Sequence, residues 1–162
     1  MLWDGDYEGA FAALQPLPVF AVPYAAEALI GLGRMDEALR LVNAAGGEGP
    51  DSPNAQLSSL RALGHAVEGD RVAAEREIRI ALAGRASFAH AHHIEYIVGA
   101  AYAALGMREE ALEWFRHAAV NGFPCLPAFE RDAFIGGLRS DPDFRDLLDW
   151  LRAERERLRQ VL

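Results

Sequence analysis

The stretch from His92 to Pro124 reads HHIEYIVGAAYAALGMREEALEWFRHAAVNGFP, and its pattern decides the fold. Apolar residues recur in it three and four positions apart, which is the spacing of one helix face. Gly106 interrupts the pattern near its middle, and the polar residues 108–110 follow as the start of a second helix. A glycine that ends one helix just before another begins predicts a hairpin of two helices of about 12 to 15 residues each.

The same punctuation occurs three more times along the chain. Gly5, Gly33 and Gly69 stand in similar turns, and the spacings from Gly5 through to Gly106 are 28, 36 and 37 residues. The position five residues after each glycine is alanine: Ala10, Ala38, Ala74 and Ala111. Alanine recurs seven residues beyond the last three, at Ala45, Ala81 and Ala118. Small side chains let two helices approach closely, and one hairpin cannot cover its own apolar face, so we expect a stack of hairpins.

The stretch 92–124 resembles a tetratricopeptide repeat. The matching residues are Val98, Gly99, Tyr102, Gly106, Ala111, Phe115, Ala118 and Pro124. Glu95 departs from the family pattern, since tryptophan is frequent there. Two less regular units, near 19–50 and 55–86, keep the turn glycine and the alanines. The resemblance implies an all-α, right-handed superhelical array of antiparallel hairpins.

The domain organisation follows from these units. We expect repeats over residues 1–124, made of a half-hairpin at 1–17 and hairpins at about 19–50, 53–86 and 89–121. Residues 125–162 are then a linker and a C-terminal capping helix. This last part resembles the segment that closes tetratricopeptide arrays in many bacterial signalling and regulatory proteins, so we expect the chain to be the C-terminal part of such a protein.

The capping helix has a clear predicted start and one apolar face. Ser140 or Asp141 can cap it, and Pro142 suits its first turn. The apolar face consists of Phe144, Leu147, Leu148, Leu151, Leu158 and Leu162. A solenoid needs such a helix to seal its last apolar surface.

The composition excludes some classes of partner and indicates a cellular compartment. The chain has 16 basic and 24 acidic residues, a net charge of -8, which argues against nucleic acid or an anionic membrane as partner. The single cysteine, Cys125, excludes an internal disulfide. No apolar run approaches eighteen residues and no signal peptide is visible, so we expect a cytoplasmic protein.

Catalytic and cofactor-binding patterns are not found in the sequence. It has no phosphate-binding glycine loop and no serine-nucleophile elbow, and Cys125 lies in a proline-flanked linker. We therefore expect no enzyme activity and no cofactor.

His90, His92 and His93 cluster at a predicted helix start, with His117 on the next helix. The simplest interpretation is a polar helix start with ordinary packing, and the alternative is a metal-binding protein.

The resemblance implies a protein-interaction module that holds a peptide or partner segment on its concave face. The expected groove residues are Phe20, Tyr24, Glu27, Ile30, Gln56, Ser59, Leu63, His93, Tyr96 and Ala100. This set is apolar with few charges and lacks the basic clamp of chaperone-binding members. We therefore expect an apolar or mixed segment as ligand and not an acidic tail.

Homo-oligomerisation is the alternative function. The leading half-hairpin would leave Leu2, Trp3, Tyr7 and Phe11 as apolar groups that seek cover. A second copy of the chain could supply that cover as a homodimer. Local folding back of the first residues is the other interpretation.

Overall fold

The computed structural model describes residues 2–15, 21–46, 54–87 and 89–160, and all regular elements in these ranges are helical. The α-helices are α1 (Tyr7–Leu14), α2 (Val22–Gly31), α3 (Met35–Gly46), α4 (Ala55–Val67), α5 (Arg71–Gly84), α6 (Ala91–Ala104), α7 (Arg108–Val120), α8 (Leu126–Arg131) and α9 (Pro142–Arg159). Short 3-10 helices span Leu2–Asp4, Arg85–Ser87 and Ala133–Leu138. The expected all-α class is confirmed. Within the described ranges, no helix combines the length and the apolar character needed to span a membrane.

Three turns between consecutive helices share one backbone geometry. Gly33, Gly69 and Gly106 have φ of 71°, 79° and 72°, in the left-handed region that glycine adopts without strain. The Gly106 N–H donates to the carbonyl of Ala103 at 3.0 Å, and the Met107 N–H donates to that of Tyr102 at 2.9 Å. The equivalent two bonds recur at Gly33 and Gly69. This arrangement is the Schellman motif, which ends α2, α4 and α6 so that the next helix begins within four residues.

The alanine after each of these turns lies in the contact between the paired helices. Ala38, Ala74 and Ala111 are each 0% exposed. Ala81 and Ala118 are also buried, whereas Ala45 near the end of α3 is exposed. The helices pack as the pairs α2 with α3, α4 with α5 and α6 with α7. Close packing of each pair therefore rests on a side chain no larger than methyl at the first turn of its second helix.

Helix α6 is the centre of the described structure. It contacts α4, α5 and α7, and the 3-10 helix Ala133–Leu138 packs on it as well. Its residues Ile94, Val98 and Ala101 have no exposed surface. One continuous apolar core runs from α2 to α9 through this helix.

The segment expected as a linker contains two short helices, α8 and the 3-10 helix Ala133–Leu138. Leu126 and Phe129 of α8 are buried, as are Ile135 and Leu138. Helix α8 contacts both α9 and the N-terminal 3-10 helix Leu2–Asp4. Six residues are too few to show a helical period in the sequence, and the proline-rich start conceals the helix further.

Of the two capping residues that the sequence offers for α9, Asp141 is the one used. Asp141, and not Ser140, accepts hydrogen bonds from the N–H groups of Asp143 (2.9 Å) and Phe144 (3.3 Å), and Pro142 occupies the first turn. Arg108 of α7 forms ion pairs with Asp141 and Asp143. Phe144, Leu147, Leu148 and Leu151 are buried, Leu158 is 38% exposed, and Leu162 lies outside the described residues.

Truncation of Leu151 tests whether α9 is an integral part of the core. Leu151 is fully buried, so Leu151→Ala should lower the free energy of unfolding by about 2 to 5 kcal/mol. Leu158→Ala, on the same helix, should change it by much less, because Leu158 lies outside the core and is 38% exposed. Urea denaturation followed by circular dichroism measures both. Equal stabilities for the two variants would contradict the packing of α9.

Substitution of Gly69 tests the left-handed turn. No atom lies within 4 Å of a Cβ placed there, so Gly69→Ala isolates the backbone cost, about 1 to 2 kcal/mol of stability. Gly137→Ala is the matched control, because its Cβ also meets open space and its φ is not left-handed. The control should lose no stability. A Gly69→Ala variant as stable as the control in thermal unfolding would disprove the argument.

Candidate functional site

Most of the residues expected to line a groove face the interior of the chain. Glu27, Ile30, Ser59, Leu63, Tyr96 and Ala100 are buried. Tyr24, Gln56 and His93 are half-buried, and Phe20 lies outside the described residues. Of the described members of this set, a partner could therefore touch only the half-buried ones without displacing other parts of the chain.

A buried carboxylate, that of Asp132, is hydrogen-bonded to Tyr96 of the expected groove and to Tyr7 near the start of the chain. The Tyr96 hydroxyl of α6 donates to Asp132 Oδ2 at 2.7 Å, and the Tyr7 hydroxyl of α1 donates to Oδ1 at 3.5 Å. The Phe134 N–H donates to the same Oδ1 at 3.0 Å. Asp132 is only 2% exposed. We call Tyr7, Tyr96 and Asp132 the Asp132 junction, which joins α1, α6 and the C-terminal segment.

The pKa shifts at the junction keep the two tyrosine hydroxyls protonated, as donation to Asp132 requires. Burial raises the pKa of Asp132, and the hydrogen bonds it accepts oppose that rise. Burial and the neighbouring Asp132 charge raise the pKa of Tyr7 to about 12 and that of Tyr96 well above its ordinary value. Both tyrosines therefore remain protonated donors at any physiological pH.

The residues considered for self-association pack partly on their own chain. Tyr7 is 9% exposed, Leu2 and Phe11 are half-buried, and nothing is described for the Trp3 side chain. The Arg34 guanidinium lies 4.9 Å from the centre of the Phe11 ring. The helix Leu2–Asp4 contacts α2 and α8, and Asp4 forms an ion pair with Arg131. Self-association stays a prediction, with a smaller apolar surface than the sequence suggests.

An apolar cleft opens beside α1, between the N-terminal helices and the start of α8. It has a volume of about 470 Å³ and is lined by Leu2, Asp4, Ala10, Ala13, Leu14, Tyr24, Cys125 and Pro127. We call it the α1 cleft. Among the described residues of the wall, Tyr24 is the one expected groove residue and Asp4 the one charged residue. Asp4 is already paired with Arg131. The cleft thus offers aliphatic carbon and one aromatic ring to a ligand.

A second cleft of similar volume lies on the other side of α1. Leu14 belongs to both clefts, and the second also includes Phe11 and Leu29. Glu37 and Arg40 of α3 stand in its wall, which makes it more polar than the α1 cleft. The α1 cleft is therefore the better match to an apolar ligand.

The structure brings His90, His92 and His93 together at the start of α6. Each offers a ring nitrogen, and these three nitrogens lie within 4.8 Å of one another. The ring centres of His92 and His93 are 4.7 Å apart, and His90 lies 5.5 and 6.0 Å from them. His117 does not join this group, because it is exposed on α7 beside Trp114.

Aromatic packing fixes two of the three histidines. The Phe123 ring is 5.0 Å from that of His93 and is stacked at 6.2 Å on that of His92. Tyr24 meets His93 edge-on at 6.2 Å. Burial and the neighbouring histidines lower the pKa of His93 to about 4, and burial lowers that of His92. Both rings are therefore neutral at neutral pH.

Sequence reasoning did not assign a role to Asp132. Its partners Tyr7 and Tyr96 lie 125 and 36 residues away in the chain. Tyr96 was expected to point into an open groove, and Tyr7 to seek an external cover. The only signal in the sequence is an acidic residue amid the apolar positions Phe129, Phe134 and Ile135, which predicts a carboxylate close to the core.

Comparison with known proteins gives no match: no family model, no curated protein and no solved structure resembles this chain significantly.

A double-mutant cycle tests the Asp132 junction. Asp132→Ala removes the buried acceptor and leaves the Tyr96 hydroxyl unsatisfied, and Tyr96→Phe removes the donor. Each single variant should lose about 1 to 3 kcal/mol of unfolding free energy, and the double variant should lose clearly less than their sum. Tyr102→Phe, at a half-buried tyrosine of the same helix, serves as control and should change stability by less than about 0.5 kcal/mol. Strict additivity in urea denaturation would show that the two side chains do not interact.

Proposed function

We propose that this chain is a cytoplasmic protein-interaction module of the tetratricopeptide type, which binds an apolar peptide segment of a partner protein. The observation that carries the proposal is the α1 cleft, an accessible apolar surface bordered by Tyr24 of α2. The partner segment enters there, because the deeper groove positions are covered by the chain itself.

The repeated turns support the interpretation as a tetratricopeptide array. Three helix pairs follow one another with the same Schellman turn and the same buried alanine, at Ala38, Ala74 and Ala111. The first helices of neighbouring pairs also contact each other, α2 with α4 and α4 with α6. Stacked hairpins of this kind are used mainly as binding surfaces. We extend the proposal to a right-handed superhelix closed by α9.

The chemistry of the α1 cleft supports an apolar ligand. Its volume lies within the roughly 300 to 1,000 Å³ that is usual for ligand pockets. Ala13, Leu14 and Tyr24 offer partly exposed carbon, and the described residues of the wall include no basic side chain to hold a carboxylate. The net charge of -8 repels acidic segments further. An apolar segment without acidic residues fits the volume of the cleft, its apolar wall and the negative charge of the chain.

Peptide selection tests this function without knowledge of the natural partner. Random dodecapeptides on phage are selected against the immobilised chain, and enriched peptides should be rich in leucine, isoleucine and phenylalanine and poor in aspartate and glutamate. The best peptide is then measured by fluorescence anisotropy. Ala13→Glu, which places a charge in the cleft, should abolish its binding. Ala12→Glu, at the adjacent exposed position outside the cleft wall, should leave binding unchanged.

Two results would contradict the proposal. Selection of acidic peptides would remove the argument from charge, and equal weakening by Ala13→Glu and Ala12→Glu would place the binding surface elsewhere. Sedimentation of the unliganded chain tests the alternative. A dimer that Ala13→Glu dissociates would mean that a second copy of this chain occupies the cleft.

A further inference from the structure

We propose that His90, His92 and His93 form a binding site for a divalent transition metal ion of the zinc class. The three ring nitrogens already lie within 4.8 Å of one another, with His90 at the N-cap of α6 and His92 and His93 in its first turn. This inference is independent of peptide binding, because its readout is metal affinity.

The distances leave little rearrangement for metal binding. Zinc holds imidazole nitrogens at about 2.0 to 2.1 Å, so nitrogens of a tetrahedral site lie about 3.3 Å apart. The present limit of 4.8 Å requires the nitrogens to approach by about 1.5 Å at most. His90 is exposed, so rotation of its side chain can supply most of that approach. His92 and His93 are held by Phe123 and provide a preformed pair.

The donor set selects the class of metal. Imidazole nitrogen suits zinc, copper, nickel and cobalt, whereas magnesium and calcium require oxygen ligands. The ligand group within the described residues contains three histidines and no carboxylate. Three protein ligands leave a fourth coordination position for water or another small donor. The site is therefore of the open, three-histidine kind.

The charges around the cluster also affect how strongly it would bind a cation. The positive end of the α6 dipole opposes a cation at this place. Glu95, one turn further along α6, is buried and acts electrostatically on His92. Its carboxylate accepts hydrogen bonds from the Asn121 side-chain amide at 3.1 and 3.3 Å. Arg85 also pairs with the Glu95 carboxylate at 3.7 Å, so Glu95 offsets only part of the unfavourable effect of the dipole.

Zinc titration tests the site. The chain is produced without a polyhistidine tag, treated with a chelator and titrated with zinc chloride in a calorimeter at pH 7.5. We expect one ion per chain with a Kd in the micromolar range. His90→Gln should weaken binding by at least about tenfold, since it removes a ligand. His117→Gln, at an exposed histidine outside the cluster, should bind as the original chain does.

Cobalt substitution provides a second readout. Cobalt(II) bound by three histidines and one water should show the strong visible absorption of four-coordinate cobalt, and His90→Gln should lose it. Absence of zinc binding, a loss below about tenfold in His90→Gln, or an equal loss in His117→Gln would overturn the proposal. Because His90 is exposed, His90→Gln should unfold at the same temperature as the original chain in the absence of metal, which excludes misfolding as the cause.

Discussion

The left-handed turn glycine is the constraint on which the rest of the structure depends. Gly33, Gly69 and Gly106 let one helix end and the next begin within four residues, and this sets the direction of each second helix. Alanine five residues later then allows the pair to pack closely. A side chain with a Cβ at the first position strains the backbone, and a larger one at the second separates the helices. Both requirements are local, and together they produce three equivalent helix pairs.

The Asp132 junction adds a long-range constraint to this local one. A buried carboxylate is costly unless it is hydrogen-bonded, so its two tyrosine donors determine where the C-terminal segment can lie. Tyr96 positions that segment against α6, and Tyr7 positions α1 against it. As a result, residues that would otherwise face an open groove are covered. The α1 cleft lies between residues of α1 and α2 on one side and Cys125 and Pro127 on the other.

The sequence predicted the local features well and the long-range ones poorly. The turn glycines and the cap of α9 follow from interactions within five residues, and the alanines stand at a fixed offset of five residues from the glycines. A single sequence displays such patterns directly. The Asp132 junction depends on residues up to 125 positions apart, and helix α8 is too short to show a period. The groove residues illustrate the difference: their place on the first helices was read from periodicity, but what covers Tyr96 and Ala100 could be learned only from the structure.

The α1 cleft and the histidine cluster are physically linked through two aromatic residues. Tyr24 lines the cleft and meets the His93 ring, and Phe123 packs on His92 and His93 two residues before Cys125, which also lines the cleft. A metal ion on the histidines would fix the orientation of His93 and, through it, the Tyr24 ring. A peptide in the cleft would contact that same ring, because Tyr24 belongs to the cleft wall. If the Tyr24 ring differs in position between the two liganded forms, each ligand changes the affinity of the other by the same factor.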